Sequence, residues 1–356
     1  MNEQKPDDLP VITRREAGLF TVTLNRSNRL NSLDLDMVRR LREAMEEAAD
    51  KSAVRMVLLG GAGDRGFCAG GNIKSMARGV MEDRLDDVLQ FLREEYALDL
   101  RIHQFPKPVV VLAHGITMGG GLGLAAGADV VMATETTRMA MPETRIGLFP
   151  DVGATGWMFA KCPRGYPEFL GLTGYEMKGA ECVRLGLASC LIPSTEMDAA
   201  IAALHDCSTD LPTDRNQAAR QIRDILRPFE QTDLPEDREM DEWVRDYFAG
   251  KTAVPELLQD LRQCSIHGAL CEGVFARLSE RSPTGVVLTM ELLRRNRGRS
   301  MAQVFDTDLK AARYMLTHPD FVEGVRARLF DKDNTPRWRP DRFEDVGDLE
   351  LDLALS

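Results

Sequence analysis

The sequence predicts an α/β fold built from parallel β-α-β crossovers, and three observations carry that prediction. Short apolar runs at 55–61 and 109–113 each lead into a cluster of glycines. Each cluster opens into a stretch with helical spacing. Ahead of both, in LFTVTLN, Phe20, Val22 and Leu24 alternate with Thr21 and Thr23, the period-two mark of a half-buried strand. Strand, helix, strand, glycine loop, helix, strand, glycine loop, helix is the order a parallel sheet with crossover helices requires.

Composition bounds the function. A chain of 356 residues can bury a large core. Its 44% hydrophobic and 28% charged content are those of a globular protein. No apolar run reaches the roughly 18 residues of a membrane-crossing helix. The N-terminal MNEQKPDDLPVITRREAG has neither the apolar core of a signal peptide nor the acid-poor character of a transit peptide. Seven cysteines, odd in number and without a CxxC pair or metal-ligand spacing, predict reduced thiols and a cytoplasmic location. A net charge of −11 argues against a nucleic-acid partner, and an anionic ligand would need a local basic spot.

Taken in order, residues 11–25 read as two strands meeting at Ala17-Gly18. The polar NRSNRLNSL follows, with Arg26 and Arg29 close together, and a helix starts near Asp34, carrying Met37, Leu41, Met45 and Ala48 on one stripe. The strand at 55–61 runs into GAGDRGFCAGGNI. Residues 85–105 read as one long amphipathic helix with Leu85, Val88, Leu89, Leu92 and Tyr96 on a shared face. At about 100° per residue, Glu95 lies at the edge of that face and Glu94 points away, so Glu95 either enters the interior or snorkels to solvent. After Asp151, VGATGWMFAKCP predicts a helix with Asp151 at its start. Residues 170–192 read as a loop, a helix and a returning strand. From 195 to 280 the chain reads as charged helices broken at LPTD, LPED and AVPE. Ser282 followed by Pro283 starts another helix, SMAQVFDTDLKAARYML begins a further one, and the chain closes on a loop, a short helix and a proline-bounded tail.

The chemistry concentrates in Pro108 to Trp157. The glycines of FCAGGN (67–72) and TMGGG (117–121) leave backbone N–H groups bare at helix starts, where partial positive charge gathers. Neither loop matches a Walker sequence, so a phosphate cradle is unsupported. Two such loops can instead each give one N–H to a single oxygen, forming an oxyanion hole. Glu143 and Asp151 stand eight residues apart in the loop that follows. Glu143 either caps a turn or acts as acid, base or nucleophile. Asp151 has the position of a helix N-cap, a role compatible with catalysis. No GxSxG elbow is present. Cys68 and His114 read as core fillers, and Arg26 and Arg29 as either solvated charges or holders of a phosphate.

These residues resemble the crotonase, or enoyl-CoA hydratase/isomerase, superfamily: NRxxxLNSL at 25–33, FCAGGNI at 67–73, PVVVLAHGITMGGGLGL at 108–124 and PETRIGLFPDVGAT at 142–155. Within it the chain is similar to the 3-hydroxyisobutyryl-CoA hydrolases, on REEY at 93–96 and HPDFVEGVRARLFDKDNTPRWRP at 318–340. The resemblance implies the crotonase spiral of repeated β-β-α units with a helical C-terminal region. It divides the chain into a core over 1–200, holding the CoA and active sites, and a helical region over 201–356. It places the oxyanion-hole N–H groups on Gly71 and Gly120. The acidic substrate-site residues fall on Glu95, Glu143 and Asp151, the adenine falls near Ala69, and Arg26 is a candidate for the CoA phosphates. Asn72 stands where the family usually has Asp, and Ser27 where Pro often follows the arginine.

One absence discriminates among reactions. Hydratases of the superfamily use two glutamates, the first at the position that is Gly123 here. With only Glu143 retained, two-carboxylate addition of water is disfavoured. The resemblance therefore implies hydrolysis of a short 3-hydroxyacyl-CoA to acid and CoA, with Glu143 as nucleophile or general base and Asp151 holding the 3-hydroxyl. No metal or redox cofactor is expected, and CoA enters as part of the substrate. Another crotonase reaction, such as enoyl-CoA hydration or isomerisation, and a catalytically silent acyl-CoA binder are the alternatives. Assembly stays open between a homo-oligomer and a chain whose helical region covers the usual trimer surface.

Overall fold

The computed structural model describes residues 9–264, 266–347, 351, 352 and 355. Residues 1–8 of the N-terminal MNEQKPDDLPVITRREAG lie outside the described residues. The chain forms two compact units that take turns along the sequence. The first holds the residues up to Gly71, Ala97–Met139 and Met177–Glu236; the second holds Asn72–Tyr96, Ala140–Glu176 and the residues from Asp237 onward. A single cut at residue 200 does not describe these units, because the contacts that define them join segments far apart in the chain.

The first unit is built on a six-stranded sheet. Strands β1 (Val11–Glu16), β2 (Leu19–Leu24), β3 (Met56–Gly61), β4 (Val109–Ala113), β6 (Val130–Ala133) and β9 (Cys190–Leu191) are adjacent in that order. Only β1 is antiparallel to its neighbour, turning at Ala17 with φ of 51° into Gly18. The other pairings are parallel, as the crossover pattern predicts. In β2, Phe20, Val22 and Leu24 are buried and Thr21 and Thr23 half-exposed, so the alternation read from the sequence is the alternation of faces. Helix α1 (Leu35–Asp50) starts on Asp34, whose carboxyl accepts the Met37 N–H and buries the stripe Met37, Leu41, Met45 and Ala48. Helices α8 (Met197–Cys207) and α9 (Arg215–Leu226) close one core, packing Ala200, Leu204, Ile222 and Leu226 with Met56, Leu58, Val110 and Val130. Each such Leu, Ile, Val or Met gains roughly 1.5–3 kcal/mol over an exposed one. A second sheet of β5 (Ile116–Met118), β7 (Arg138–Ala140) and β8 (Met177–Lys178) is too short to show a periodicity in sequence.

The second unit is helical. It contains α2 (Ile73–Met81), α5 (Ala154–Lys161), α6 (Tyr166–Thr173), α10 (Arg238–Phe248), α11 (Val254–Gln263), α12 (Gly268–Ser279), α13 (Pro283–Asn296), α14 (Met301–Thr317) and α15 (Pro319–Val325). Helix α3 (Leu85–His103) enters it up to Tyr96. Its core includes Phe169 edge-on to Tyr166, Trp243 and Phe248. The polar breaks read from the sequence are helix starts: Asp214 and Asp237 cap α9 and α10, Pro255 sits in the first turn of α11, Ser282 caps α13, and Ser300 with Gln303 forms a capping box on α14. Two local readings differ. Residues from Leu170 were expected to be loop, whereas α6 continues to Thr173 and stops at Gly174, whose φ of 57° admits no L side chain without strain. Asp151 was expected to cap α5, whereas Gly153 occupies that position and no side chain caps the helix.

Candidate active site

Within the first unit the two glycine loops are laced to each other by backbone hydrogen bonds. Cys68 N–H donates to Ile116 O at 3.1 Å and Met118 N–H to Cys68 O at 3.0 Å. The approach requires glycine at two points. A Cβ on Gly121 would lie 2.2 Å from Cys68 O, and one on Gly70, whose φ is 87°, would lie 3.0 Å from the Gly120 nitrogen. The bridge between Leu33 and Gly71 uses Gly70 O and leaves the Gly71 N–H aside. Among the described residues neither the Gly71 nor the Gly120 N–H has a backbone acceptor. Gly120 opens the short helix α4 (Gly120–Ala126), which also contains Gly123. The geometry is therefore that of two adjacent, unspent donors.

The surrounding loop is held by a residue that sequence reading passed over. Asn31, fully buried, donates to Ala62 O and Gly66 O and accepts the Arg26 N–H. Arg26 itself bonds Asp34 and Asp36, so its guanidinium is already engaged. Ala69 is half-buried with its N–H on Leu30 O. A pocket of about 240 Å³ is lined by Ser27, Asn28, Leu30, Ala62, Arg65 and Gly66, among others. Cys68 is buried, with its thiol donating to Asn31 O, and fills space as expected. Asn72 caps α2 by accepting the Ser75 N–H, a role an aspartate would fill equally.

The second unit gathers the carboxyls. Glu95 is buried and Glu94 lies at the surface with Gln90, as the helix geometry separates them. Next to Glu95, Tyr96 donates its phenol to Asp151 Oδ2 at 2.7 Å and packs against Phe305, with ring centroids 5.8 Å apart. Glu143 lies in a 3₁₀ turn, Glu143–Ile146, and is buried; among the described residues its Oε2 has no hydrogen-bond partner. Burial pushes the Glu143 carboxyl well above the ordinary range, and the charge of Asp151 pushes it further. Burial likewise raises Asp151, to about 6, while the Tyr96 hydrogen bond pulls it back.

Asp308, on α14, completes the cluster and was not singled out in the sequence. It is fully buried and accepts the Gly153 N–H at 2.8 Å. Burial and then the Asp151 charge hold it well above the usual carboxyl range. It tethers the turn that presents Asp151. In that turn Val152 has a φ of 49°, a left-handed conformation rare for a β-branched residue. No signal local to FDTDLK could reveal this role, since its partner lies 155 residues away. Among the described residues no group of His, Cys, Asp and Glu is arranged to hold a metal, and no helix is long and apolar enough to cross a membrane.

Buried carboxyls with raised proton affinity and a pair of free backbone donors can be set beside known proteins. The family model described as enoyl-CoA hydratase/isomerase matches residues 19–355. The 3-hydroxyisobutyryl-CoA hydrolase, mitochondrial, of Gallus gallus is 32% identical over 352 residues, covering 97% of this chain and 88% of its own. The protein of the same name from Danio rerio is 34% identical, covering 94% and 86%. The chain belongs to the 3-hydroxyisobutyryl-CoA hydrolase family of the crotonase superfamily. A crystal structure of a carnitinyl-CoA dehydratase from Mycobacterium thermoresistibile superposes with a TM-score of 0.86 at 30% identity, covering 98% of this chain and 96% of the other. The crotonase fold with a helical C-terminal region is thus shared over the full length of this hydrolase-family chain.

Proposed function

We propose that the protein hydrolyses the thioester of a short 3-hydroxyacyl-CoA, 3-hydroxyisobutyryl-CoA first among them, to the free acid and CoA. The observation that carries the reading is the pairing of the buried Glu143 with the half-buried Asp151, each raised by desolvation, with Glu143 raised again by the other's charge. A desolvated carboxylate is a stronger base and nucleophile than a solvated one. The thioester oxygen is assigned to the N–H groups of Gly71 and Gly120, which stabilise the tetrahedral oxyanion. Glu143 either attacks the carbonyl carbon, giving an acyl-enzyme anhydride and CoA thiolate, or takes a proton from the attacking water. Asp151, fixed by Tyr96, is assigned to the substrate 3-hydroxyl, and Glu95 to the polar side of the acyl pocket. The CoA end is assigned to the loops around Ala69, whose N–H partner Leu30 lines the 240 Å³ pocket together with Arg65; Arg26, engaged by two aspartates, is the weaker candidate.

Thiol release from 3-hydroxyisobutyryl-CoA and from crotonyl-CoA tests the reading. Release from the first alone supports it. Loss of the crotonyl absorbance without thiol release would replace it with a hydratase, the reading favoured by the likeness to a dehydratase structure. No turnover of either would leave an acyl-CoA binder. Oxygen-18 from water found in Glu143 after one turnover would exclude the pure general-base route. A reducing, cytoplasmic location is proposed on the seven cysteines, all without a disulfide; the mitochondrial relatives make cell fractionation the deciding measurement. A homo-oligomer is proposed on the crotonase resemblance. Light scattering reads the mass directly.

A further inference from the structure

We infer that the C-terminal HPDFVEG segment is a positioning device for Glu143 and acts on the reaction without touching substrate; this rests on the reading of Glu143 as the reacting carboxylate. The Glu143 side chain is not fixed by partners of its own. Its Oε2 is buried with none among the described residues, and the one hydrogen bond that lowers its proton affinity comes from its own main chain. Where the carboxylate lies is therefore set by the backbone of residues 143–148. That backbone is held from beneath. Ser282 N–H donates to Thr144 O at 3.0 Å, and Leu148 N–H closes the turn on Glu143 O at 3.0 Å.

Ser282 is itself held by the C-terminal segment. Its hydroxyl donates to Asp320 Oδ2 at 2.5 Å while accepting the Gly285 N–H at 3.0 Å. The other oxygen of Asp320 accepts the Arg339 N–H at 2.8 Å. Asp320 is fully buried, so both of its oxygens are committed to this link. The seat is also steric. A Cβ on Gly147, whose φ is 70°, would lie 2.2 Å from Asp320 O; one on Gly324 would lie 2.4 Å from the Ile146 carbonyl carbon; one on Gly285 would lie 2.5 Å from Leu148 O. In each case the obstacle is backbone, which has no flexible end to move aside. Three glycines thus let α13 and α15 press directly on the turn, and Asp320 ties the two helices together beneath it.

Kinetics of Gly324→Ala and Ser282→Ala in the full chain test the inference. Each shifts the turn while leaving every proposed substrate contact chemically intact. The expected result is a kcat lower by roughly 10- to 100-fold with KM changed less than about threefold, since a displacement of about 1 Å at a reacting group can cost about 100-fold. Ala218→Gly, in the buried face of α9, serves as a control that loses stability elsewhere and is expected to keep kcat at temperatures below its melting transition. If Gly324→Ala does not fold, Ser282→Ala decides, and Ser282→Thr is expected to restore most of the rate because it keeps the hydroxyl. Wild-type kcat in both folded variants, or a fall in kcat matched by the α9 control, overturns the inference. Glu143→Gln separates the two ideas: if that variant is inactive and Gly324→Ala is fully active, only the positioning role is lost; if Glu143→Gln is active, the reading of Glu143 is lost with it.

Discussion

The phenol of Tyr96 donates to Asp151 across 2.7 Å, joining the middle of a long helix to a turn 55 residues later. The bond is directional as well as cohesive. It favours the ionised form of Asp151, against the burial that lifts the carboxyl to about 6. Without it the aspartate would hold its proton at neutral pH more of the time.

Tyr96→Phe removes that donor and keeps the ring against Phe305. A hydrogen bond to a charged group is worth about 1.5–3 kcal/mol. The variant is expected to fold, to move the Asp151 titration above about 6, and to release CoA roughly 10- to 100-fold more slowly at pH 7. Carbon-13 titration of the aspartates together with thiol release checks both halves.

Asp151→Asn removes one of the two causes that raise Glu143. With that negative charge gone, Glu143 ionises at lower pH. The residual activity should therefore show its acid limb displaced to lower pH than in the unmodified protein. An unmoved limb would mean that Glu143 is not the group whose ionisation limits the rate.

Asp308→Asn raises stability at neutral pH, and the sign follows from burial. Its folded-state proton affinity lies above the unfolded one, so ionisation opposes folding. The folded protein loses stability as pH rises from about 4 toward the folded value. An asparagine keeps an oxygen for the Gly153 N–H and removes the charge. Denaturant melts should show equal stability near pH 4 and an advantage for the variant of at least about 1 kcal/mol near pH 8.

Gly70→Ala places a methyl 2.9 Å from Met118 O and 3.0 Å from the Gly120 nitrogen, at a φ that disfavours it. The two glycine loops must part. Loss of one oxyanion donor costs about 2.7–4 kcal/mol, so kcat should fall on the order of 100- to 1,000-fold. A variant that releases CoA at the normal rate would remove Gly120 from the mechanism.

What could be read from the sequence was what depends on neighbours in the chain. Asp34, Asp214 and Ser282 cap their helices because a cap is defined within four residues. Glu95 was separated from Glu94 by helical phase alone. Asp151 was misread by the same logic: its sequence position suits a cap, but its carboxyl is taken by Tyr96 and the helix starts two residues later, on Gly153. Asp308 and Asn31 carry no local mark, since their partners lie on other elements. The alternation of the two units along the chain was hidden for the same reason. Gly324 of α15 and Gly147 of the 143–148 turn were legible only as parts of motifs, because a missing Cβ gains meaning from the backbone that fills its place.

Val152 gives the turn beneath Asp151 a conformation that glycine or asparagine would adopt with less strain, by about 1–3 kcal/mol. Val152 is also buried, so Val152→Gly would lose its packing as it relieved the backbone, and a laboratory selection that rewards heat resistance alone would enrich Asp308→Asn instead. Sequencing the survivors would pick out the buried carboxyl that tethers this turn without any substrate in the tube.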